Sequence, residues 1–362
     1  MTETAISQTA IYSARPTLRI AGQADERLSA LLTAMRMEET EGGMSTLELR
    51  LVNWTASGDG RAELAFNSNS SLKLGADLSV YTGDTASPRE IFKGHVSAME
   101  MVCNYGTPPE LVVLAEDALT AARRGRRSKI YDNLSPADVV NQIASELGLQ
   151  ARVSGLSSPS ATWAQLNETD LSFLRRLLAR FDADLQVVGT DLQVSPRKDV
   201  SRGTLELVLN SQLARVRITA DLADQVTAVT VAGWNAQDGL AVKGEVSSLT
   251  NPGPGSGRSG LDWAQEVFGT RSEHLSTPAV ESSDEARAVA EAALDQRARG
   301  FVRAEGTAEG NPALRVGSNV RIVGVSAQYD NTYYVVRACH LFDQQKGYRT
   351  DFNAECAYLG NG

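Results

Sequence analysis

Carboxylates are the residues of this sequence that could most readily do chemistry. A glycoside hydrolase needs two of them, one on each side of the scissile bond. The densest groups are Glu38, Glu39 and Glu41, and the pair Asp182 and Asp184. Aromatic residues make up only 6% of the sequence and the tryptophans are scattered, so no sugar-stacking cluster accompanies these acids. We therefore expect no enzyme and assign no catalytic residue, with cell-wall glycan hydrolysis through Asp182 or Asp184 as an alternative.

Histidine and cysteine are too few and too scattered to indicate a metal site. The sequence has three of each, namely His95, His274, His340, Cys103, Cys339 and Cys356. Only Cys339 and His340 are neighbours, and adjacent residues of a strand point to opposite faces. The odd cysteine count fits no disulfide framework, and we expect the three thiols to be buried as small apolar side chains. We predict no metal and no cofactor.

One glycine-rich segment matches a cofactor motif in form only. Gly255–Gly260 reads GSGRSG, which is the spacing of the dinucleotide fingerprint. Pro252 and Pro254 precede it where a buried parallel strand should lead in, and no βαβ pattern surrounds it. The sequence also lacks P-loop, HExxH and GxSxG motifs. We expect an exposed loop over residues 251–260 and no nucleotide site.

Composition and charge favour a folded protein whose partners are other proteins. The sequence has 362 residues, 42% of them hydrophobic, which is enough for two or three domains. Its formal net charge is −9, so no general attraction to nucleic acid or an anionic membrane is expected. The basic stretch Arg123–Lys129 stands alone, and we expect it to be solvated or to contact protein. Without a run of about 20 apolar residues or a signal-like N-terminus, we expect cytoplasmic synthesis and assembly and no membrane insertion.

Apolar and polar residues alternate through the first third of the chain. Runs such as Leu47–Val52 and Leu78–Tyr81 have the period of two that is typical of strands with one buried face. Turn-forming residues interrupt these runs at 56–60 and 81–84. This pattern predicts an all-β domain over residues 12–115.

Helical signals begin near residue 130. Ser135, followed by proline, is a helix start and Gly148 is a helix stop, with apolar residues of helical spacing between them. Thr169 caps a second predicted helix, and residues 189–190 suit a two-residue hairpin turn. We assign residues 116–203 to an α+β module.

Strand patterning returns in the last part of the chain. It covers Leu205–Trp234 and resumes at Leu314, with a helix predicted over Ser283–Arg299 between these regions. We assign a second β domain to residues 204–235 and 312–360. Residues 236–311 are then an insertion that packs with the α+β module.

A short internal repeat relates the two β regions. LKLGADLSV, which starts at Leu72, aligns with LRVGSNVRI, which starts at Leu314, at an offset of 242 residues. The leucine and the glycine are identical and the other pairs are chemically similar. Gly75 and Gly317 would therefore hold the same turn, and the repeat predicts two copies of one β-barrel.

The repeat also predicts the register of the following strand. At the same offset, Ile91-Phe92 falls opposite Tyr333-Tyr334 without a gap. The predicted fold class is α+β and mainly β, with two barrels, an α+β module and an inserted segment that contains a helix.

The stretch from Ile130 to Val194 resembles the phage late control D family. Three runs carry the likeness: YDNLSPADVV from Tyr131, QLNETDLSFLRRL from Gln165, and FDADLQV from Phe181. The flanking β regions are compatible with the same family but match it less closely.

This resemblance implies a structural baseplate hub of a contractile phage tail or contractile injection system, related to the hub part of the type VI secretion spike protein. Such hubs are homotrimers in which each chain contributes two tube-like barrels. The resulting pseudo-six-fold ring joins a hexameric inner tube to a trimeric spike. The implied partners are other copies of the chain, the inner tube protein, a spike protein and other baseplate proteins of the virion or injection particle.

Two further expectations concern the extent of the chain and its assembly. Some relatives continue into a spike, whereas this sequence stops at Gly362 soon after the second β domain, so we expect the spike to be a separate polypeptide. The alternative within the same class is a tail tube or tube-initiator protein that assembles as a hexamer. The doubled barrel argues against that alternative.

Overall fold

The fold is α+β and mainly β, as predicted. The computed structural model describes residues 15–56, 61–67, 70–83, 87–156, 160–236, 238–276 and 279–360. Residues 57–60 of the predicted turn at 56–60, residue 84 of the predicted turn at 81–84 and the predicted domain start at residue 12 lie outside these residues. Within them, no helix has the length and apolar character needed to cross a bilayer.

The first part of the chain is almost entirely strand. Its elements are β1 (Thr17–Ile20), β2 (Gln23–Ala24), α1 (Glu26–Leu31), β3 (Leu32–Thr40), β4 (Thr46–Val52), β5 (Thr55–Ala56), β6 (Ala62–Glu63), β7 (Asp77–Thr82), β8 (Arg89–Val102) and β9 (Glu110–Glu116). Alternating burial along β3 and β4 confirms the predicted period of two.

The middle part contains the predicted helices. Its elements are α2 (Thr120–Arg123), β10 (Arg126–Leu134), α3 (Pro136–Glu146), β11 (Gln150–Val153), β12 (Ala161–Thr169), α4 (Asp170–Ala179), β13 (Ala183–Val188), β14 (Asp191–Pro196) and a 3-10 turn (Arg197–Asp199). Ser135 accepts a hydrogen bond from the amide of Asp138, whose carboxylate accepts from the amide of Ser135 in return. This capping box confirms the start of α3 that the sequence indicates.

The last part returns to strands around two helices. Its elements are β15 (Thr204–Val208), β16 (Leu213–Ala220), β17 (Ala228–Asn235), β18 (Leu240–Val246), β19 (Arg258–Ser259), α5 (Gly260–Phe268), β20 (Ser272–Leu275), α6 (Ser283–Arg299), β21 (Val302–Glu309), β22 (Asn319–Val323), β23 (Asn331–Asp343), β24 (Gly347–Cys356) and β25 (Tyr358–Leu359). Helix α6 has the bounds that the sequence predicts, whereas α5 follows the glycine-rich segment that was expected to be loop.

A single large sheet contains two groups of five strands with the same order. The first five-strand set is β7-β8-β9-β4-β3, and the second five-strand set is β22-β23-β24-β21-β16. All neighbours within each set are antiparallel. The flanking strands differ, because β1 is antiparallel to β7 whereas β15 is parallel to β22.

Irregularities in the pairing occur at matching places in the two sets. The ladder between β3 and β4 shifts register between Leu32 and Ala34, and the ladder between β16 and β21 shifts between Leu213 and Arg215. The ladders of β8 with β9 and of β23 with β24 also shift register, each near the middle of the longer strand. The likeness between the sets therefore extends from strand order to β-bulges.

One strand pair joins the two sets into one sheet. The C-terminal half of β23 pairs antiparallel with β3, from Arg337 opposite Thr40 to Asp343 opposite Ala34. We call this ladder the internal seam. It places the last strand of the first set against the second strand of the second set.

Gly75 and Gly317 have the same backbone geometry. Their φ angles are +79° and +84°, values that favour glycine. Gly75 donates its amide hydrogen to the carbonyl of Val96, and Gly317 donates to the carbonyl of Val335.

The predicted register of the following strand is wrong by three residues. Asp77 pairs with His95, and Asn319, which lies 242 residues after Asp77, pairs with Tyr334. His95 therefore corresponds to Tyr334 at an offset of 239. The hairpin that links Asp77 to His95 is three residues longer than the one that links Asn319 to Tyr334, and a gapless alignment cannot follow such an insertion.

Two strands lie on a different side of the predicted domain boundaries. β21, which falls within the expected insertion over 236–311, lies in the large sheet between β16 and β24. β17, expected to belong to the second β domain, forms a separate sheet with β18 and β20. Alternation marks each segment as a strand, but long-range pairing decides which sheet it joins.

Four apolar clusters fill the described part of the chain. One lies inside the first five-strand set, one in the segment from Leu119 to Val194, one inside the second set, and one between α6 and the β17–β18–β20 sheet. The segment between the sets thus has its own core.

Gly75→Ala and Gly317→Ala should differ in cost although the φ angles agree. A side chain at either position meets the left-handed strain, which we expect to cost about 1 kcal/mol. At Gly317 the added Cβ would also lie 2.7 Å from Cγ1 of Val200, whereas at Gly75 no described atom lies within 4 Å. Urea unfolding should show the larger loss for Gly317→Ala, by about a further 1 kcal/mol from overpacking.

Gly125→Ala is the control, because Gly125 lacks a positive φ and no described atom lies within 4 Å of the added Cβ. Equal losses at Gly75 and Gly317, or a comparable loss at Gly125, would contradict this account.

Candidate functional site

Three of the five carboxylates that the sequence indicates meet at a junction of four chain segments. We define the ionic junction as the place where the turn after β3, the α4–β13 loop with the 3-10 turn, the end of α6 and the outer face of β23–β24 come together. Its members are Glu41, Asp182, Asp184, Arg197, Arg299, Tyr334 and Glu355.

Asp182 binds the end of helix α6. Its two carboxylate oxygens accept hydrogen bonds from Arg299 at 2.5 and 2.7 Å. The side chain of Arg299 is only 4% exposed, and it also donates to the carbonyl of Asn251 at 3.2 Å. A bidentate pair of this kind fixes both orientation and distance. Asp182 thus attaches the segment after α4 to α6.

Arg197 makes the second link across the junction. Its guanidinium lies 2.6 Å from the Glu355 carboxylate and 2.8 Å from that of Glu41, measured between nitrogen and oxygen. The same group stacks over the ring of Tyr334, with 4.1 Å between the guanidinium carbon and the ring centroid. Arg197 is only 8% exposed, so it connects β24 to the turn after β3 in a site from which water is largely excluded.

Burial changes the proton affinity of Glu41. Burial, together with the nearby carboxylates Asp184 and Glu355, raises the pKa of Glu41 to about 7. Arg197 opposes this change but is shared with Glu355, so it does not restore an ordinary value. Burial also raises the pKa of Asp184, whose carboxylate accepts a hydrogen bond from the amide of Gly42 at 3.0 Å.

A separate buried pair lies beside the internal seam. Glu39 is 1% exposed and accepts hydrogen bonds from Arg315 at 2.8 and 2.5 Å and from the amide of Val316 at 2.7 Å. Burial raises the pKa of Glu39, but Arg315 outweighs it and holds that pKa below its usual range. The turn before β22 is thereby bound to β3 of the other five-strand set.

The two acids considered for glycan hydrolysis are therefore engaged in structural contacts. Asp182 is neutralised by Arg299 and Asp184 is bonded to the backbone of Gly42. A hydrolase needs one protonated and one ionised carboxyl group facing the same substrate. The chemistry of this junction is the attachment of one segment to another.

The histidines and cysteines occupy separate environments. His340 is fully buried with Nδ1 2.8 Å from the hydroxyl of Tyr348, and burial lowers the pKa of His340 to about 3, so it is neutral. Cys339 and Cys356 are buried as expected, but Cys103 is exposed because it follows the free end of β8. Across the described residues, no group of three or more His, Cys, Asp or Glu side chains is placed to hold a metal ion.

The glycine-rich segment packs against the end of the chain. A Cβ at Gly257 would lie 2.2 Å from the carbonyl oxygen of Leu359, so close packing accounts for this glycine. The expected loop is present over residues 251–257, but Ser259 and Gly260 are buried and Ser259 caps α5. The contacts of Gly257 are thus to backbone of the same chain.

The basic stretch is paired with carboxylates of the same chain. Arg127 contacts Asp170 at 2.7 Å and Glu146 at 2.6 Å, and Lys129 contacts Glu146 at 2.6 Å. Much of its positive charge is neutralised within the α+β module.

Open strand edges are the functional feature that the sequence analysis missed. In the described part of the chain, Arg215–Ala220 of β16 pair only with β21, and Ala98–Val102 of β8 pair only with β9. Their other edges present backbone groups that can pair with another strand. Periodicity identifies strands but carries no information on which edges are covered.

The fold is that of solved tail proteins. The 43 kDa tail protein of prophage MuSo2 from Shewanella oneidensis has a TM-score of 0.69 at 13% identity, covering 94% of this chain and 97% of that one. The tail protein of Neisseria meningitidis MC58 has a TM-score of 0.66 at 10% identity, covering 96% and 98%. The E. coli c3393 protein, described as a component of the type VI secretion system, has a TM-score of 0.57 at 12% identity, covering 95% and 79%.

The family follows from the sequence match. The chain belongs to the family described as the Alg8 N-terminal domain, whose model matches residues 49–343. This description differs from that of the late control D family, which the α+β module resembles. No curated protein matches the chain.

Replacing Arg299 by methionine should destabilise the protein strongly. The change keeps most of the apolar stem but leaves Asp182 without its bidentate partner, and breaking a buried pair from one side costs about 3 kcal/mol. Guanidinium unfolding measures the loss. The control is Arg287→Met in the same helix, where the exposed pair with Glu291 should contribute less than about 1 kcal/mol.

In the double variant, Asp182→Asn should recover part of the loss caused by Arg299→Met, because the unpaired charge is then removed. Similar losses for Arg299→Met and Arg287→Met would show that the pair does not stabilise the junction.

Stability should fall as the pH rises from about 5 to 8, in part because of Glu41. Its folded pKa of about 7 lies above its usual value of 4.5, so the folded state binds a proton that the unfolded state has released. The contribution is complete below pH 4.5 and is lost as the pH passes through 7. Glu41→Gln should flatten this dependence in urea unfolding at each pH. Exposed Glu26→Gln should not, and equal slopes in all three proteins would contradict the role of Glu41.

Proposed function

We propose that this chain is a structural subunit of a phage tail or contractile injection machine, and specifically a baseplate hub of the late control D type. The hub is a homotrimeric ring that joins a hexameric inner tube to a trimeric spike. Its other partners are the remaining baseplate proteins, and it is assembled in the cytoplasm into a virion or injection particle.

The observation that carries the proposal is the doubled five-strand set. The two sets share strand order, strand direction and the position of two β-bulges, and the internal seam joins them in one sheet. We propose that they are two copies of one tube-like barrel, in which Gly75 and Gly317 hold equivalent turns. The first copy falls within residues 12–115. The second uses β21 in addition to the strands within 204–220 and 312–360.

Two five-strand sets in each chain reconcile the six-fold symmetry of the tube with the three-fold symmetry of the spike. Three chains with two sets each present six similar positions to a six-fold tube, while the ring as a whole keeps three-fold symmetry for the spike. A chain with one set would need six copies to form the same ring. All six positions would then be identical, and the ring would not have the three-fold symmetry of the spike. The fold of the tail proteins from Shewanella oneidensis and Neisseria meningitidis supports this class of function.

The module over residues 116–203 and the segment over 236–311 lie outside the two sets, and we propose that they decorate the ring. The ionic junction fixes both of them to the second set through Arg197, Arg299 and Glu355. A hub must transmit force between tube and spike without its parts turning. Buried ion pairs that hold three segments together suit that function, and no catalytic step is required.

Light scattering coupled to size-exclusion chromatography tests the proposal. The hub predicts a particle with the mass of three chains when measured alone, or of three chains plus the bound spike when measured with its partner. A six-chain ring would favour the tail tube alternative. A monomer under both conditions would leave the chain with the tail-protein fold but without the hub function.

A further inference from the structure

The internal seam provides a template for pairing between two copies of the chain. It joins β3 of the first five-strand set to the C-terminal half of β23 in the second set. β16 has the same place in the second set as β3 has in the first. Likewise, β8 has the same place in the first set as β23 has in the second. These are the two open edges described above, so each half of a second seam is present in every chain.

The matching bulges fix the correspondence of residues. Leu32 and Ala34 flank the bulge in β3, and Leu213 and Arg215 flank the bulge in β16. Residues of β3 therefore correspond to residues of β16 that are 181 positions later in the chain. Val96 and Ala98 of β8 likewise correspond to Val335 and Arg337 of β23, at an offset of 239. The remaining strands give a consistent correspondence. When these offsets are carried through the bulged ladders, each residue pair between β9 and β4 matches a residue pair between β24 and β21.

We propose that β16 of one chain pairs antiparallel with residues 98–104 of the next chain, in the register of the internal seam. In this register, the seam pair Phe342 and Met35 corresponds to Cys103 opposite Val216 of the other chain. The seam pair His340 and Met37 corresponds to Met101 opposite Ile218. This inference rests on the proposed function, because it names the contact through which the ring would close. The occupant of each open edge is a second copy of this chain.

Side-chain burial supports the same register. At the internal seam, Met37 and His340 are both 0% exposed. Their counterparts at the open edges are Ile218, which is partly exposed, and Met101, which is 44% exposed. Both are apolar, and pairing would cover them as the seam covers Met37 and His340. An unpaired strand edge with half-exposed apolar residues is the kind of edge that proteins normally protect or pair.

The neighbouring pairs in this register are also compatible. Two further pairs share the interior face with Met101 and Ile218. Met99 lies opposite Ala220, and Cys103 lies opposite Val216. That side of the contact is therefore apolar. On the outer face, Glu100 lies opposite Thr219 and next to Arg217 along the partner strand, which places opposite charges diagonally. Because the two edges lie on different strands of each chain, the contact is head to tail and closes only as a ring.

Cys103 makes the register testable by disulfide formation. In antiparallel partners the Cα atoms are about 4.5–5.5 Å apart, which lies within the range of disulfides. Val216→Cys should therefore form an intermolecular disulfide with the native Cys103 under mild oxidation. Cys339 and Cys356 are buried and should not compete. Non-reducing electrophoresis and peptide mass mapping identify the linked pair.

Two control variants define the comparison. Arg217→Cys places the thiol one residue along the same strand on the opposite face, so we expect about tenfold less cross-linking with Cys103. Arg36→Cys combined with Leu341→Cys places two thiols at paired positions of the internal seam. That pair should close within one chain and shows that oxidation is complete.

The outcomes separate this inference from the proposed function. A three-chain particle with a Cys103 disulfide in Val216→Cys and little in Arg217→Cys supports both. A three-chain particle without that disulfide, while the internal control oxidises, overturns the strand pairing and leaves the hub standing. Equal cross-linking in Val216→Cys and Arg217→Cys overturns the register. A monomer without the disulfide overturns the proposed function and the pairing with it.

Discussion

Buried arginine–carboxylate pairs hold the α+β module and helix α6 against the large sheet. Removing a guanidinium from water costs several kcal/mol, and only a well-placed carboxylate compensates for it. Arg197 and Arg299 are both almost fully buried, so the turn after β3, the loop after α4 and the outer face of β24 must arrive together. An apolar contact would tolerate sliding between these segments. The paired charges permit one arrangement, because a displaced segment would leave a charge without a partner.

A second buried pair holds the two five-strand sets together. The two sets share one ladder at the internal seam, and the buried pair of Glu39 with Arg315 binds the turn before β22 to β3. The seam therefore has both backbone pairing and a buried ion pair. In the proposed hub, such fixed geometry would keep the two sets at a constant spacing, since any change at the seam would alter it.

Acidic clusters gave the chain its most enzyme-like feature, and their placement shows why residue type alone is a weak guide to catalysis. Asp182 and Asp184 are close in sequence, but one binds Arg299 and the other binds the backbone of Gly42.

The similar tail proteins share only 10–13% identity with this chain while covering almost all of it. At that identity the alternation of polar and apolar residues is preserved more readily than individual side chains.

Local signals in the sequence determined helices α3, α4 and α6, the alternating strands and the turn glycines. Ser135 with Asp138, and the spacing of apolar residues before Gly148, specify α3 without reference to the rest of the chain. Gly75 and Gly317 are recognisable because a positive φ favours glycine. The short repeat around them indicated two related β regions, although the longer hairpin after β7 shifted the register that a gapless alignment predicts.

Tertiary structure alone decided the assignment of β21, the exposure of Cys103, the partners of Asp182 and the open edges of β8 and β16. Each of these depends on contacts between residues far apart in the chain. A strand has the same alternation whether its edge is paired or free, and a carboxylate has the same charge whether an arginine approaches it or not. The sequence thus determined three of the helices and most strands, whereas the pairing of distant strands and charges decided where each of them lies.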